Sequence, residues 1–126
     1  MKSAIATSAA PQAIGPYCQA IRAGDWVFVS GQLPLGADGQ AMAPGVAAQT
    51  EACLDNLAAI LAAAGLRLGD VVKTTVFMTD LGQFAAMNEV YARRFGSPFP
   101  ARATVGVAAL PKGASVEIEA VAFAGK

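Results

Sequence analysis

Residues 69–95 read GDVVKTTVFMTDLGQFAAMNEVYARRF, and the apolar pattern changes character within them. Val71 to Met78 is dense in β-branched and aromatic side chains, the composition of a strand. After it the pattern turns helical. Asp80 stands at a cap position with Gln83 three residues on, and Phe84, Met87, Tyr91 and Phe95 run along one side. Gly96-Ser97-Pro98 ends that helix. Upstream, residues 46–64 carry Cys53, Leu57, Ile60, Leu61 and Ala64 at spacings of three and four, a second amphipathic helix stopped by Gly65. Gln49, Asn56 and Ala63 fall off its apolar stripe.

Working outward, residues 18–21 and 26–30 read as a strand pair around Arg22-Ala23-Gly24-Asp25, where Gly and Asp suit a hairpin turn. Trp26, Phe28 and Ser30 share one face of the second strand, Val27 and Val29 the other, and both faces read as covered. A Gly- and Pro-rich loop spans residues 34–45. Residues 103–108 and 115–123 give two more strands around Leu110-Pro111-Lys112-Gly113. The order is β-β-α-β-α-β-β, with a short extra strand near residues 3–6. This predicts an α+β domain covering residues 1–126, a mixed sheet with two helices on one face. The other face needs a partner, so oligomerisation is expected.

The composition points the same way. Of 126 residues, 14% are charged, against about 25% in an average domain, although an Ala-rich bias gives the same figure. Nine basic residues cancel nine acidic ones, and Arg93-Arg94 is the one adjacent pair of cations, which offers little for displacing counterions from nucleic acid. There is no His. That removes Ser-His-Asp and Cys-His nucleophile systems, His-based zinc sites and the usual neutral-pH proton shuttle. Carboxylates, backbone groups, Tyr, Arg, Lys, Cys and ordered water are left to carry any chemistry. Cys18 and Cys53 are too few for a zinc site and read as buried free thiols. The N-terminus, MKSAIATSAAPQAIGPY, has no signal-like apolar run, and no segment is suited to span a membrane. A cytoplasmic location is expected.

Arg102 is the foremost candidate site residue. It lies in FPARATVGVAAL, where every neighbour is apolar or small. Its planar fork requires a carboxylate, carbonyls or a ligand. Two partners stay open: Glu117 or Glu119 within the sheet, or the carboxylate of a bound molecule. Glu117 and Glu119 alternate in SVEIEAVAF and so share a strand face, where one can serve as an acid or base or pair with Lys73 or Arg102. Tyr17 follows the rigid Ile14-Gly15-Pro16. Gly31, in Ser30-Gly31-Gln32, lets a ligand come close to the backbone. Asn88 lies in the second helix among larger apolar residues. No phosphate-binding GxGxxG or GxxxxGK[ST] motif is present.

IGPYCQAI, VFVSGQLPL, GDVVKTTVFMTDLGQFAAMNEVYARRF and FPARATVGVAALPKGASVEIEAVA together resemble, in colinear order over nearly the whole chain, the RidA/YjgF family of reactive-intermediate, or 2-iminobutanoate/2-iminopropanoate, deaminases. The resemblance implies a chorismate-mutase-like fold, a homotrimer with ligand clefts between subunits, and no metal or organic cofactor. It also implies hydrolysis of enamine/imine intermediates, released by pyridoxal-phosphate-dependent dehydratases, to 2-oxo acids and ammonia. By motif, Arg102 grips the substrate carboxylate and Tyr17 lines the pocket with Ser30, Gly31 (through its N–H) and Asn88. Glu117, with a backbone carbonyl near Thr104, positions the attacking water. Many relatives carry Cys where this chain has Thr104, which leaves hydrolysis possible but removes any thiol chemistry there. A carboxylate-binding regulator without catalysis remains an alternative. The ribonuclease or translation-inhibitor role also attached to the family is disfavoured by the zero net charge and the missing His.

Overall fold

A computed structural model of the chain describes residues 1–125. Strands β1 (Lys2–Ile5), β2 (Ala20–Ala23), β3 (Trp26–Gln32), β4 (Val71–Met78), β5 (Ala101–Gly106) and β6 (Val116–Phe123) form one sheet in the order β1-β2-β3-β6-β4-β5. All neighbours are antiparallel except β4 and β5. That parallel pair needs a crossover, and helix α2 (Phe84–Phe95) supplies it. Helix α1 (Gly45–Ala63) connects β3 to β4. The chain is therefore an α+β fold with a mixed sheet, as its period changes predict.

Alternation along each strand separates the two faces. Val27 and Val29 of β3, Val76 and Met78 of β4, and Val116, Ile118, Ala120 and Ala122 of β6 are buried on one side. They form a single apolar cluster with Cys53, Leu54, Leu57, Ile60 and Leu61 of α1 and Met87, Val90 and Tyr91 of α2. The helices thus occupy one face. On the other, Trp26 and Phe28 keep 44% and 48% of their surface, so the expectation that both faces of β3 are covered fails within one chain. Among the described residues no helix is long and apolar enough to cross a membrane.

Several element limits shift. The first hairpin strand starts two residues late, at Ala20, where Cys18 O takes the Ser30 hydroxyl in place of a ladder N–H; β5 spans Ala101–Gly106 rather than 103–108. Asp80 does cap, its Oδ1 accepting from Gly82 N–H at 2.9 Å, but a 3₁₀ turn, Leu81–Gln83, precedes the helix proper. Gly65 ends α1 at φ +77°, with Gly65 N–H on Ala62 O and Leu66 N–H on Leu61 O, the paired bonds of a left-handed helix stop. Gln49 and Asn56 are buried rather than outward. Gln49 donates to Ala43 O and accepts from Ser115 N–H, and Asn56 donates to Leu33 O and Leu35 O, so α1 fastens the loop that follows β3.

Candidate active site

Arg102 lies on the edge strand β5, beside Thr74 of β4, whose side chain is buried on the helix side of the sheet. The guanidinium reaches α2. One Nη donates to Asn88 Oδ1 at 2.6 Å, and its carbon stands 4.8 Å from the Tyr91 ring centre and 5.4 Å from that of Phe84. Phe84, Asn88 and Tyr91 sit at i, i+4 and i+7, one helix face, which explains why all three meet one cation. Tyr91 is fixed in turn by a 2.6 Å hydrogen bond between its hydroxyl and Thr74 Oγ1, and burial pushes its phenol up from the ordinary range.

No carboxylate stands within ion-pair distance of Arg102 among the described residues. The neighbouring cations behave differently: Arg93 and Arg94 bind Glu51 at 2.8 and 2.6 Å, and Arg94 also binds Asp55 at 2.9 Å. Register excludes the internal partners considered for Arg102. Glu117 lies opposite Phe77, and Glu119 opposite Thr75, whereas Arg102 lies beside Thr74. Adjacent residues of a strand point to opposite faces. Arg102 therefore faces the helices, and the two glutamates face the open side.

The second group gathers where β3 loses register with β6. Val29 lies opposite Ala120 but Gln32 opposite Ile118, so Ser30 and Gly31 occupy a β-bulge. Gln32 Nε2 donates to Ser30 O at 3.1 Å, while Ser30 Oγ donates to Cys18 O at 2.7 Å. The Glu117 carboxyl lies over the bulge: a Cβ on Gly31 would overlap its Oε2 and stand 3.0 Å from Cδ. Burial, helped by the charge of Glu119, holds this carboxyl above the usual carboxylate range. Tyr17 and Ser30 line one shallow depression with Phe28 and Ile21. The phenol is exposed at the tip of its loop and accepts a long 3.4 Å bond from Ile14 N–H.

The predicted residues thus fall into two groups. Arg102 and Asn88 touch directly on the helix side, where Thr104 also points; its Oγ1 is buried and has no hydrogen-bond partner. Gly31 and Glu117 meet at the bulge, with Ser30 and Tyr17 alongside. One chain does not join the groups. The aromatic cradle of Phe84 and Tyr91 joins the site unannounced by any motif, although their shared helix side is visible in the spacing. Cys53 is buried, its thiol bonded to Val116 O and pushed up by burial, but Cys18 is only partly covered, against expectation. Among the described residues no three His, Cys, Asp or Glu side chains gather as a metal site.

Comparison with known proteins identifies the family. The family model described as endoribonuclease L-PSP matches residues 7–124. A RutC family protein, y4sK, from Sinorhizobium fredii is 57% identical over 93% of this chain and 94% of its own. A 2-iminobutanoate/2-iminopropanoate deaminase from Salmonella typhimurium is 49% identical over 97% and 98% of the two chains. The crystal structure of E. coli TdcF with bound serine superposes at a TM-score of 0.92, with 44% identity over 98% of this chain and 99% of that one. The chain belongs to the endoribonuclease L-PSP family, the RidA/YjgF family that its motifs resemble.

Proposed function

We propose that the chain is an imine hydrolase converting 2-aminoacrylate/2-iminopropanoate and 2-iminobutanoate to 2-oxo acids and ammonia, at a cleft completed by two copies in a chorismate-mutase-like homotrimer. The observation that carries this is the state of Arg102. A partly buried guanidinium held by a neutral amide and two aromatic faces keeps its charge uncompensated, and a small bound carboxylate fits its fork bidentately. The serine in the TdcF structure is a small amino acid of comparable size. Since the RutC-named relative is the more similar of the two curated relatives, the substrate class rests on the site rather than on names.

The chemistry follows from the two groups. Arg102 fixes the substrate carboxylate, which orients the adjacent imine carbon. Water adds to that carbon, and Glu117, a carboxyl made more basic by burial, takes its proton. Glu117 passes that proton to the nitrogen, giving the carbinolamine; the hydroxyl proton then goes to the amine, and ammonia leaves as the C–N bond breaks and the carbonyl forms. Location and orientation of the reactants supply most of what is needed, so the missing His is no obstacle. Gly31 offers its N–H, and the backbone carbonyl near Thr104 helps hold the water. Because the two groups face opposite sides of one sheet, a second copy brings a Glu117 group to each Arg102. The exposed Trp26 and Phe28 support such burial between copies. The substrate comes from a pyridoxal-phosphate-dependent dehydratase. Cleavage of RNA finds little support, since the one adjacent arginine pair is tied to Glu51 and Asp55.

The test couples purified protein to a threonine dehydratase and follows 2-oxobutanoate. Arg102→Ala lowers the acceleration by about a hundredfold or more, the scale of two charge-assisted hydrogen bonds. Glu117→Gln lowers turnover more than it weakens 2-oxobutanoate binding. Full activity in Arg102→Ala overturns the assignment, and ligand binding without any deamination turns the site into a sensor.

A further inference from the structure

The loop that carries Tyr17 has no ladder of its own. Residues 6–19 join β1 to β2 without forming helix or strand, yet Ala10 within them is fully buried. Backbone groups in such a segment need partners, and one side chain supplies four such bonds. Gln19 is 3% exposed. Its Oε1 accepts from Thr7 N–H at 2.7 Å, and its Nε2 donates to Thr7 O at 3.1 Å, Ala10 O at 3.3 Å and Pro11 O at 2.8 Å. The amide does the work of a missing strand. It has two N–H groups for three carbonyls, so one bond is shared.

The same residue reaches the bulge through its main chain. Gln19 O accepts from Ser30 N–H at 3.0 Å, and the adjacent Cys18 O accepts from Ser30 Oγ at 2.7 Å. Gln19 thus fastens the Tyr17 loop with its side chain and Ser30 with its backbone. Beyond it the exposed Ile14–Tyr17 tip is held by bonds within itself, Ile14 N–H to the Tyr17 hydroxyl and Tyr17 N–H to Gly15 O, with Ile14 81% exposed. An apolar residue of the same volume would leave Thr7 N–H, Ala10 O and Pro11 O unpaired, with Thr7 O held by Gln12 Nε2 alone, and the tip would lose its register against Ser30.

We infer that Gln19 is a positioning residue that fixes the Tyr17 wall of the cleft relative to Ser30, and so sets which imino-acid side chains fit. This deepens the imine-hydrolase proposal and rests on it. Gln19 touches no reacting atom, so its loss acts on fit rather than on the chemical step. Gln19→Leu and Gln19→Glu are each assayed with imines generated in place from threonine and from serine. KM for 2-iminobutanoate rises about tenfold, as for one lost anchor, while kcat stays within about threefold. KM for 2-iminopropanoate, with its shorter side chain, rises less. A folded variant with lowered melting temperature and unchanged KM values shows a merely structural role and overturns the inference.

A measurement on the wild-type protein covers the case in which neither variant folds. Saturating 2-oxobutanoate, by engaging the Tyr17 wall, slows hydrogen exchange at the Thr7 amide; unchanged exchange there overturns the inference. Arg102→Ala separates the two levels. If it still binds 2-oxobutanoate normally, the site itself is misplaced. If it abolishes binding while the Gln19 variants keep wild-type KM values, only the role of Gln19 falls.

Discussion

Replacing Gly31 with alanine puts a methyl group where the Glu117 carboxylate now stands. The added carbon would overlap Oε2 and lie 3.0 Å from Cδ and 3.2 Å from Cγ. Carbon atoms rest about 3.5–4.0 Å apart, so the carboxyl has to withdraw by roughly 1 Å. Gly31 lies outside the left-handed region, which means alanine meets no backbone penalty and the collision is the main effect. Crowding of this kind costs about 1–3 kcal/mol of stability. A shift of about 1 Å in a group that locates the attacking water costs up to about a hundredfold in turnover. The assay is a double-mutant cycle by urea unfolding at one fixed protomer concentration, since oligomer stability depends on concentration. In a Glu117→Ala background the cost of Gly31→Ala should fall by at least about 1 kcal/mol, because the colliding atoms are gone. An equal cost in both backgrounds, or a Gly31→Ala protein with full turnover, refutes the contact and the role built on it.

Four further predictions concern other features of the site and sheet. Burial first, and then Glu119, raise the Glu117 carboxyl, so its anion is disfavoured in the folded state. Its contribution to stability is full below about pH 4 and is lost as pH rises through the elevated folded value; Glu117→Gln should gain stability relative to wild type between pH 4 and 7. For the same reason Glu119→Gln should move the acid limb of the kcat/KM profile to lower pH, and an unmoved limb contradicts the coupling. Thr104→Val removes a buried hydroxyl without a partner, so the protein should be at least as stable and active within about twofold. A large loss would show that the side chain, rather than the backbone, serves the site. Phe28→Asp places a charge on the open face and should give a smaller, inactive species by sedimentation; an unchanged oligomer contradicts burial of that face between copies.

Particular residues show why the fold was legible in the sequence and the site only partly so. Val71 to Met78 was readable as a strand because consecutive β-branched side chains favour nothing else there, and β4 has those bounds. Gln49 and Asn56 are buried although they fall off the apolar stripe, for a physical reason. An apolar stripe records which side chains avoid water, whereas these amides are buried by bonds to loop backbone that no periodicity encodes. Arg102 stood out by its apolar surroundings, but its partner did not. Parity within a strand places Glu117 and Glu119 on one face; whether Arg102 shares that face depends on register with β4, a long-range property. The bulge at Ser30 and Gly31 had a local sign, a glycine at a strand end, yet its consequence, a carboxyl seated over the backbone, required knowing that β6 lies alongside.

The central claim is that Arg102 receives a substrate carboxylate within reach of a Glu117 group supplied by a second copy. A crystal structure of the assembled protein with 2-oxobutanoate tests it most directly. The account predicts the ligand carboxylate paired with both Arg102 nitrogens and the keto carbon facing Gly31 and Glu117 across a subunit boundary. A ligand bound away from Arg102, or Arg102 neutralised by a protein carboxylate from a neighbouring copy, would contradict it.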